Sequence, residues 1–177
     1  MPNDAHPANA RVCAAAEQRG VTIEVVSFDE STHTAEEAAA AIGVELGQIV
    51  KSLVFMAPVD PARNEAGMEP LIVLVRGTDR VDLGKLVSAS ARPRLRRASA
   101  KEVKEATGFS IGGVPPFGHV RKIAVVMDPA LDGYEQVWAA AGTPTTVFAI
   151  APRTLAMLSD ALVAPCAEVP ARVVSPE

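Results

Sequence analysis

The sequence predicts one α/β domain with a mixed, partly antiparallel sheet or barrel and helices on its outside. Its 177 residues are the usual size of one domain, and 49% of them are hydrophobic, which is enough for a sizeable core. The apolar runs of strand length outnumber those of a simple repeated β-α-β unit, and no repeat period is visible. A doubly wound nucleotide-binding fold is therefore the less favoured alternative.

The first half of the chain carries two helix signals and three strand signals. Asn9 is a candidate cap for a helix that runs to Gly20. Thr34 followed by Glu37 has the capping-box spacing for a helix that ends at Gly43. Alternating or continuous apolar residues predict strands at 22–28, 49–57 and 71–75, with a polar loop at 58–70.

The second half continues this mixture of helices and strands. Asp82 is a candidate cap for a short helix at 83–87, and Ser99 with Glu102 forms a second capping box for a helix that ends at Gly108. Further strands are predicted at 122–127, 145–150 and 162–164, with a helix at 134–141 and a last helix from Pro152. We expect the domain to span 9–170, between a flexible N-terminal tail at 1–8 and a C-terminal tail at 171–177.

Composition narrows the classes of function. The start of the chain lacks the basic and apolar stretches of a signal peptide, and no segment has the apolar length of a membrane span, so we expect a cytoplasmic protein with no membrane contact. Cys13 and Cys166 are too few for a disulfide framework and belong to no Cys/His cluster, so neither a metal nor another cofactor is expected. A net charge of −4 argues against coating DNA or RNA.

The positive charge is nevertheless concentrated in one short stretch, in which Glu102 is the only acid. Two interpretations remain open, an ordinary solvated face and a contact with a nucleic-acid backbone. The basic residues of the stretch are Arg92, Arg94, Arg96, Arg97, Lys101 and Lys104.

Lys51 is the most unusual residue of the predicted strands. Leu53 and Phe55 share its face, and Val50 and Val54 lie on the other face, so the strand is apolar on both sides. Because burying an ammonium group is costly without an acceptor, a lysine here indicates a cleft for an anionic or carbonyl-bearing ligand. The alternative is a stem that lies on the sheet while the head reaches solvent.

The segment at 112–118 reads Gly-Gly-Val-Pro-Pro-Phe-Gly. Its glycines permit close approach to the main chain, while Pro115 and Pro116 stiffen it. Such a loop can aim N–H groups at an ester carbonyl that becomes an oxyanion during hydrolysis. The alternative is a plain connection between two elements.

The usual catalytic motifs for nucleophilic, metal or phosphate chemistry are missing from the sequence. Cys13 and Cys166 are interpreted as packing residues. His119 follows the glycine loop and could orient a water or touch a substrate, or be an ordinary loop-end side chain, and His33 is equally open.

Two motifs together resemble the YbaK/ProX family of free-standing aminoacyl-tRNA deacylases, which is related to the editing domain inserted in bacterial prolyl-tRNA synthetases. They are Gln48-Ile-Val-Lys51-Ser-Leu-Val-Phe and Gly112-Gly-Val-Pro-Pro-Phe-Gly-His119. The likeness continues along the chain through Thr34-Ala-Glu-Glu-Ala-Ala-Ala, Arg76-Gly-Thr-Asp-Arg-Val-Asp82, Ala106-Thr-Gly-Phe109 and Ala141-Gly-Thr-Pro144.

This resemblance implies a mixed, largely antiparallel, β-barrel-like sheet flanked by helices. It implies an enzyme that hydrolyses the ester of a small wrong amino acid, such as Ala, Cys, Ser, Thr or 2-aminobutyrate, on tRNA, most often proline tRNA. The implied partners are the acceptor end of aminoacyl-tRNA and prolyl-tRNA synthetase. A non-catalytic module that binds aminoacyl-tRNA or a synthetase, and a Cys/His thioesterase or amidase, stay as alternatives.

The resemblance also assigns roles to individual residues. Lys51 is expected to hold the terminal phosphate or adenosine, while Gly112, Gly113 and Val114 cradle the carbonyl and the amino-acid end. The expected substrate-binding residues are Thr34, Asp79, Arg80, Pro115, Pro116, Phe117, Gly118, His119 and Gly142, and the expected tRNA-backbone contacts are Arg94, Arg96, Arg97 and Lys101.

Overall fold

The computed structural model of the chain describes residues 6–29, 34–62 and 67–169. His33, residues 1–5 of the predicted N-terminal tail and the whole predicted C-terminal tail lie outside these ranges. The described helices are α1 (Pro7–Glu17), α2 (Ala35–Ile42), α3 (Leu83–Ser90), α4 (Ala100–Thr107) and α5 (Pro152–Leu158). The described strands are β1 (Val25–Ser27), β2 (Val50–Pro58), β3 (Met68–Arg76), β4 (Arg96–Arg97), β5 (Ala124–Met127), β6 (Val137–Ala140), β7 (Thr146–Ile150) and β8 (Leu162–Val163).

The strands form two sheets, and the predicted mixed α/β architecture is confirmed. The larger sheet has the order β4-β2-β3-β5-β8 and the smaller has the order β1-β7-β6. β2 pairs antiparallel with β3 along its whole length, whereas β3 pairs parallel with β5. Among the described residues the barrel does not close, because a single bridge between Ile49 and Trp138 is the only backbone pairing between β2 and the smaller sheet.

The larger sheet is covered on both faces. On one face Val54 of β2 and Leu74 of β3 pack in a core that includes Phe148 of the smaller sheet. On the other face Phe55 packs in a second core with Leu86 of α3. Burial on both faces explains why β2 and β3 read as continuous apolar runs instead of alternating ones.

Both predicted capping boxes are confirmed. Thr34 Oγ1 accepts the Glu37 N–H at 3.1 Å, and the Glu37 carboxylate accepts the Thr34 N–H at 3.2 Å. Ser99 and Glu102 make the same pair of contacts at the start of α4. These reciprocal bonds satisfy N–H groups that a helix start otherwise leaves open, which is why short local motifs predicted both helices well.

Two elements differ from the sequence prediction. The first helix begins at Pro7, with His6 as its cap, whereas Asn9 is buried and accepts a hydrogen bond from Thr146 at 3.0 Å. The predicted helix at 134–141 is wrong, because its second half forms strand β6, which pairs antiparallel with β7. Val137 and Ala139 are buried while Trp138 is half-buried, so strand alternation outweighs the helical preference of the alanines.

In the part of the chain that the structure describes, no helix combines the length and apolar character required to cross a bilayer.

Candidate functional site

A cavity of about 270 Å³ lies where the two sheets separate along β2. At its start β2 is bridged to β6 through Ile49, and near its end Phe55 pairs with Arg97 of β4. Between these two contacts the strand edge is open, and residues 49–54 border the cavity. Much of the remaining wall consists of small apolar side chains, among them Ala35, Ala38, Ala98, Ala139 and Ala140.

Lys51 lies in the cavity wall and is half-buried. Its ammonium group donates a hydrogen bond to the main-chain carbonyl of Asp79. Burial lowers the pKa of Lys51, although the charges of Asp79 and Glu36 oppose this effect. Lys51 therefore borders a largely apolar cleft, and its ammonium group has a main-chain acceptor.

Asp79 positions Lys51 and does not line the cavity. Its buried carboxylate accepts two hydrogen bonds from the Arg76 guanidinium, at 2.7 and 3.0 Å, and a third from the Thr78 hydroxyl at 3.1 Å. These contacts fix the turn whose carbonyl receives the lysine. Arg80 is exposed and also stays outside the cavity lining, so neither predicted substrate-binding residue contributes a side chain to the wall.

The glycine loop contributes Gly112 and Val114 to the cavity wall. The N–H groups of these two residues donate to no other described residue. The N–H of Gly113 instead donates to the Ser110 carbonyl at 3.0 Å, so it is committed to the turn. Of the three residues expected to cradle a carbonyl, Gly113 therefore has no free N–H to offer.

Gly113 has a different part in this loop, because it allows a close approach of main chain to main chain. A Cβ atom at Gly113 would lie 2.8 Å from Thr143 Cα and 2.9 Å from the Gly142 carbonyl oxygen. Gly142 in turn has a φ of +108° and packs against the Ala8 carbonyl of α1. It therefore supports the glycine loop from behind instead of touching the cavity as predicted.

The five remaining loop residues that were expected to bind substrate do not line the cavity. Phe117 packs in the core with its ring centroid 5.5 Å from that of Phe148. His119 Nε2 donates to the Pro115 carbonyl at 2.7 Å, and burial lowers the pKa of His119, which favours the neutral imidazole. A separate cavity is lined by Pro116, Phe117, Gly118 and His119, while Pro115 is buried.

Of the four basic residues predicted to contact a tRNA backbone, Arg97 is the one that lines the cavity. It is exposed, and its guanidinium lies 5.4 Å from the centre of the Phe55 ring. The other three have partners elsewhere: Arg96 binds Glu102 at 2.7 Å, Lys101 lies 3.8 Å from Glu105, and Arg94 donates to the Pro61 carbonyl at 2.6 Å.

Four hydroxyl-bearing residues also line the cavity, Thr34, Ser52, Thr143 and Thr146. Thr34 lines the cavity as predicted, with its oxygen engaged in the α2 cap. Ser52 also lines the cavity, and within the described residues its buried hydroxyl has no hydrogen-bond partner. Ser52 was not singled out from the sequence, because a serine in a strand is an ordinary occurrence.

Comparison with known proteins places this architecture in a family. Residues 29–158 match the family described as the aminoacyl-tRNA editing domain. The chain belongs to this family. Both the resemblance seen in the sequence motifs and the prediction of an aminoacyl-tRNA editing hydrolase are thereby confirmed.

Individual relatives of this editing domain cover most of the chain. A crystal structure of a protein described as a candidate trans-editing enzyme for prolyl tRNA synthetase has a TM-score of 0.81 and 45% identity, covering 93% of this chain and 99% of that chain. The uncharacterized protein YwhH of Bacillus subtilis is 33% identical over 136 residues, which are 77% of this chain and 81% of YwhH. The multifunctional Ser/Thr-tRNA deacylase ProXp-y of Escherichia coli is 30% identical over 121 residues, 68% of this chain and 69% of that protein.

Neither cysteine of this editing domain lines the cavity. Cys166 is fully buried, and burial together with the nearby Asp128 carboxylate raises the pKa of its thiol to about 12. Cys13 lies in α1. Because a thiol nucleophile acts as its thiolate, the thioesterase alternative finds no support in this arrangement.

Proposed function

We propose that this protein is a trans-editing deacylase that hydrolyses the ester between a small non-cognate amino acid and tRNA, with proline tRNA as the main carrier. The observation that carries the proposal is one cavity lined both by the half-buried Lys51 and by Gly112 and Val114, whose N–H groups make no hydrogen bond to the described main chain. The names of two relatives, a Ser/Thr-tRNA deacylase and a candidate trans-editing enzyme for prolyl tRNA synthetase, support the same reaction.

The size and lining of the cavity favour a small amino acid. Its volume of about 270 Å³ lies below the range of about 300–1,000 Å³ that is typical of small-molecule sites. Alanine side chains from α2 and β6 form part of this wall. A side chain of the Ala, Cys, Ser, Thr or 2-aminobutyrate class suits a small, largely aliphatic lining of this kind.

The proposed chemistry needs orientation of an ester that is already reactive. A water molecule adds to the ester carbonyl carbon, and the carbonyl oxygen takes up negative charge that the N–H groups of Gly112 and Val114 stabilise. The bond from that carbon to the ribose oxygen then breaks, the ribose oxygen takes one proton of the attacking water, and the amino acid leaves as its carboxylate while the second proton passes to solvent. The neighbouring ribose hydroxyl of the substrate can relay the proton.

Positive charge at the cavity suits the terminal phosphates of tRNA. We assign Lys51 to the terminal phosphate or adenosine, and the exposed Arg97 at the same cavity to the adjoining backbone. The proposed setting is the cytoplasm, where tRNA is charged, with prolyl-tRNA synthetase as a partner and residues 9–170 as the editing unit.

The test is a hydrolysis panel with purified protein. Proline tRNA charged with Ala, Ser, Thr, Cys or 2-aminobutyrate is incubated with catalytic amounts of the protein, with proline itself as the cognate control. We expect turnover on at least one small non-cognate amino acid and sparing of prolyl-tRNA. Protection of every ester without turnover would instead establish the binding-module alternative.

A second arm of the panel tests the thiol alternative. The double variant Cys13→Ala, Cys166→Ser should keep its hydrolytic rate per folded molecule, because neither thiol lies in the cavity wall. Loss of hydrolysis in this variant, with its fold intact by circular dichroism, would support a cysteine nucleophile.

A further inference from the structure

Trp138 is the single tryptophan of the chain, and it lines the cavity without a part in the chemistry described above. It lies in β6 and is half-buried. Its side chain packs against a cluster that includes Ala35 and Ala38 of α2 and Ile49 at the start of β2. All three of these neighbours line the cavity as well, so the indole ring belongs to the cavity wall.

The polar edge of the Trp138 ring is accessible. Within the described part of the chain its indole N–H forms no hydrogen bond, yet the one buried side-chain polar atom without a partner is the Ser52 hydroxyl. The indole N–H is therefore reachable from outside the protein, in contrast to Ser52. A tryptophan that packs with part of its ring and leaves its polar edge open suits a partner that is flat and partly polar.

Trp138 lies on the same side of β2 as Lys51. Side chains alternate along a strand, so Ile49 and Lys51 share one face and Val50 occupies the other. Trp138 packs with Ile49, whereas Val50 packs in the core that includes Val114 of the glycine loop. The cavity thus extends around the open edge of β2, from the glycine loop on one side to Lys51 and Trp138 on the other.

We propose that Trp138 is a nucleoside-binding residue whose indole stacks on the terminal adenine base of the aminoacyl-tRNA. This inference rests on the proposed deacylase function, which assigns the ester carbonyl to Gly112 and Val114 and the terminal phosphate or adenosine to Lys51. An ester held by the glycine loop leaves its nucleoside on the Lys51 side of the strand edge. Trp138 is the one aromatic side chain of the described cavity wall, and a base gains affinity by stacking on such a ring.

Because the chain has a single tryptophan, its fluorescence reports on this site directly and without hydrolysis. Adenosine 5′-monophosphate, which has the structure of the terminal nucleotide of tRNA, is titrated into the purified protein. Ribose 5-phosphate is the matched ligand, since it keeps the sugar and the phosphate but lacks the base. We expect saturable quenching of the tryptophan fluorescence by adenosine 5′-monophosphate alone. Equal responses to the two ligands, or no response to either, would overturn the inference.

Deacylation of mischarged proline tRNA tests the role of the aromatic face. Trp138→Leu keeps an apolar side chain but removes this face, whereas Trp138→Phe retains a smaller one. We expect KM to rise roughly tenfold in Trp138→Leu and by less in Trp138→Phe, at nearly constant kcat and by the same factor for alanine and threonine esters. An equal rise in both variants would assign the effect to lost packing and contradict stacking. A rise confined to one amino acid would place the ring against the amino acid instead.

The two measurements separate this inference from the proposed function. A wild type that hydrolyses mischarged tRNA but whose fluorescence ignores adenosine 5′-monophosphate would refute the role of Trp138 alone. A wild type whose fluorescence is quenched by this nucleotide but that hydrolyses no ester would refute the deacylase function and leave the nucleoside site standing.

Discussion

Substituting Gly113 tests how closely the glycine loop must pack to hold the site together. The added Cβ of Gly113→Ala would meet Thr143 Cα at 2.8 Å and the Gly142 carbonyl oxygen at 2.9 Å. Carbon atoms prefer separations of about 3.5–4.0 Å, so the two loops must part by roughly 0.7 Å or more. Because both neighbours are main-chain atoms, no side chain can move aside. We expect a loss of about 1–3 kcal/mol in the free energy of unfolding, the usual cost of overpacking.

The same displacement should reduce catalysis, because Gly112 and Val114 flank the substituted residue and carry the proposed oxyanion donors. Loss of one such donor typically costs about 10²–10³ in rate. The effect should appear mainly in kcat, since Lys51 and Arg97 remain in place to bind tRNA.

The assay is steady-state deacylation of mischarged proline tRNA, with urea unfolding in parallel. Gly133→Ala is the matched control, because a Cβ at Gly133 would meet nothing within 4 Å. If Gly113→Ala matches Gly133→Ala in both rate and stability, the close packing is irrelevant and the reasoning is refuted. A loss confined to stability would instead favour the plain-connection interpretation of the loop.

Two further changes address stability and tRNA binding. Asp128→Ala should lower the free energy of unfolding by about 2–4 kcal/mol in urea titration, because the N–H groups of Ala130, Cys166 and Ala167 lose their acceptor. Burial acts to raise the pKa of Asp128, but the hydrogen bonds from these N–H groups outweigh burial and lower the pKa. The ionised Asp128 should therefore stabilise the fold fully above about pH 4, the usual pKa of an aspartate, and this stabilisation should be lost as the pH falls through the lowered pKa. Arg97→Ala should raise KM severalfold at nearly constant kcat and weaken the salt dependence of KM; an unchanged KM would remove Arg97 from the tRNA interface.

Local sequence signals predicted much of the fold. α2 and α4 were predicted from their ends: each begins at a capping box, at Thr34 or Ser99, and ends at a left-handed glycine, Gly43 or Gly108. These signals could be recognised because each capping box involves only residues within one turn of the helix. β6 was missed because its alanines favour a helix, whereas the pairing with β7 that makes it a strand depends on distant residues.

The sequence predicted part of the site where a charged residue interrupts an apolar strand. Lys51 in an apolar strand is such a conflict, and the structure places it in the cavity wall. Which residues of the glycine loop line the cavity could not be predicted from the sequence. Whether His119 faces the cavity or the Pro115 carbonyl depends on packing against α1 and β7. Ser52 was missed because a serine in a strand is ordinary until its lack of a partner is seen.

The most direct test of the site is the single-turnover rate of Lys51→Met on mischarged proline tRNA, compared with Lys85→Met. Both lysines donate to a main-chain carbonyl, Lys51 to Asp79 and Lys85 to Ala167, but Lys85 lies outside the cavity wall. With both variants folded, we predict that Lys51→Met loses about 100-fold in single-turnover rate, because the terminal phosphate or adenosine that Lys51 holds then no longer positions the ester, while Lys85→Met keeps the wild-type rate. A Lys51→Met protein as fast as the wild type would contradict the assignment of this cavity as the deacylation site.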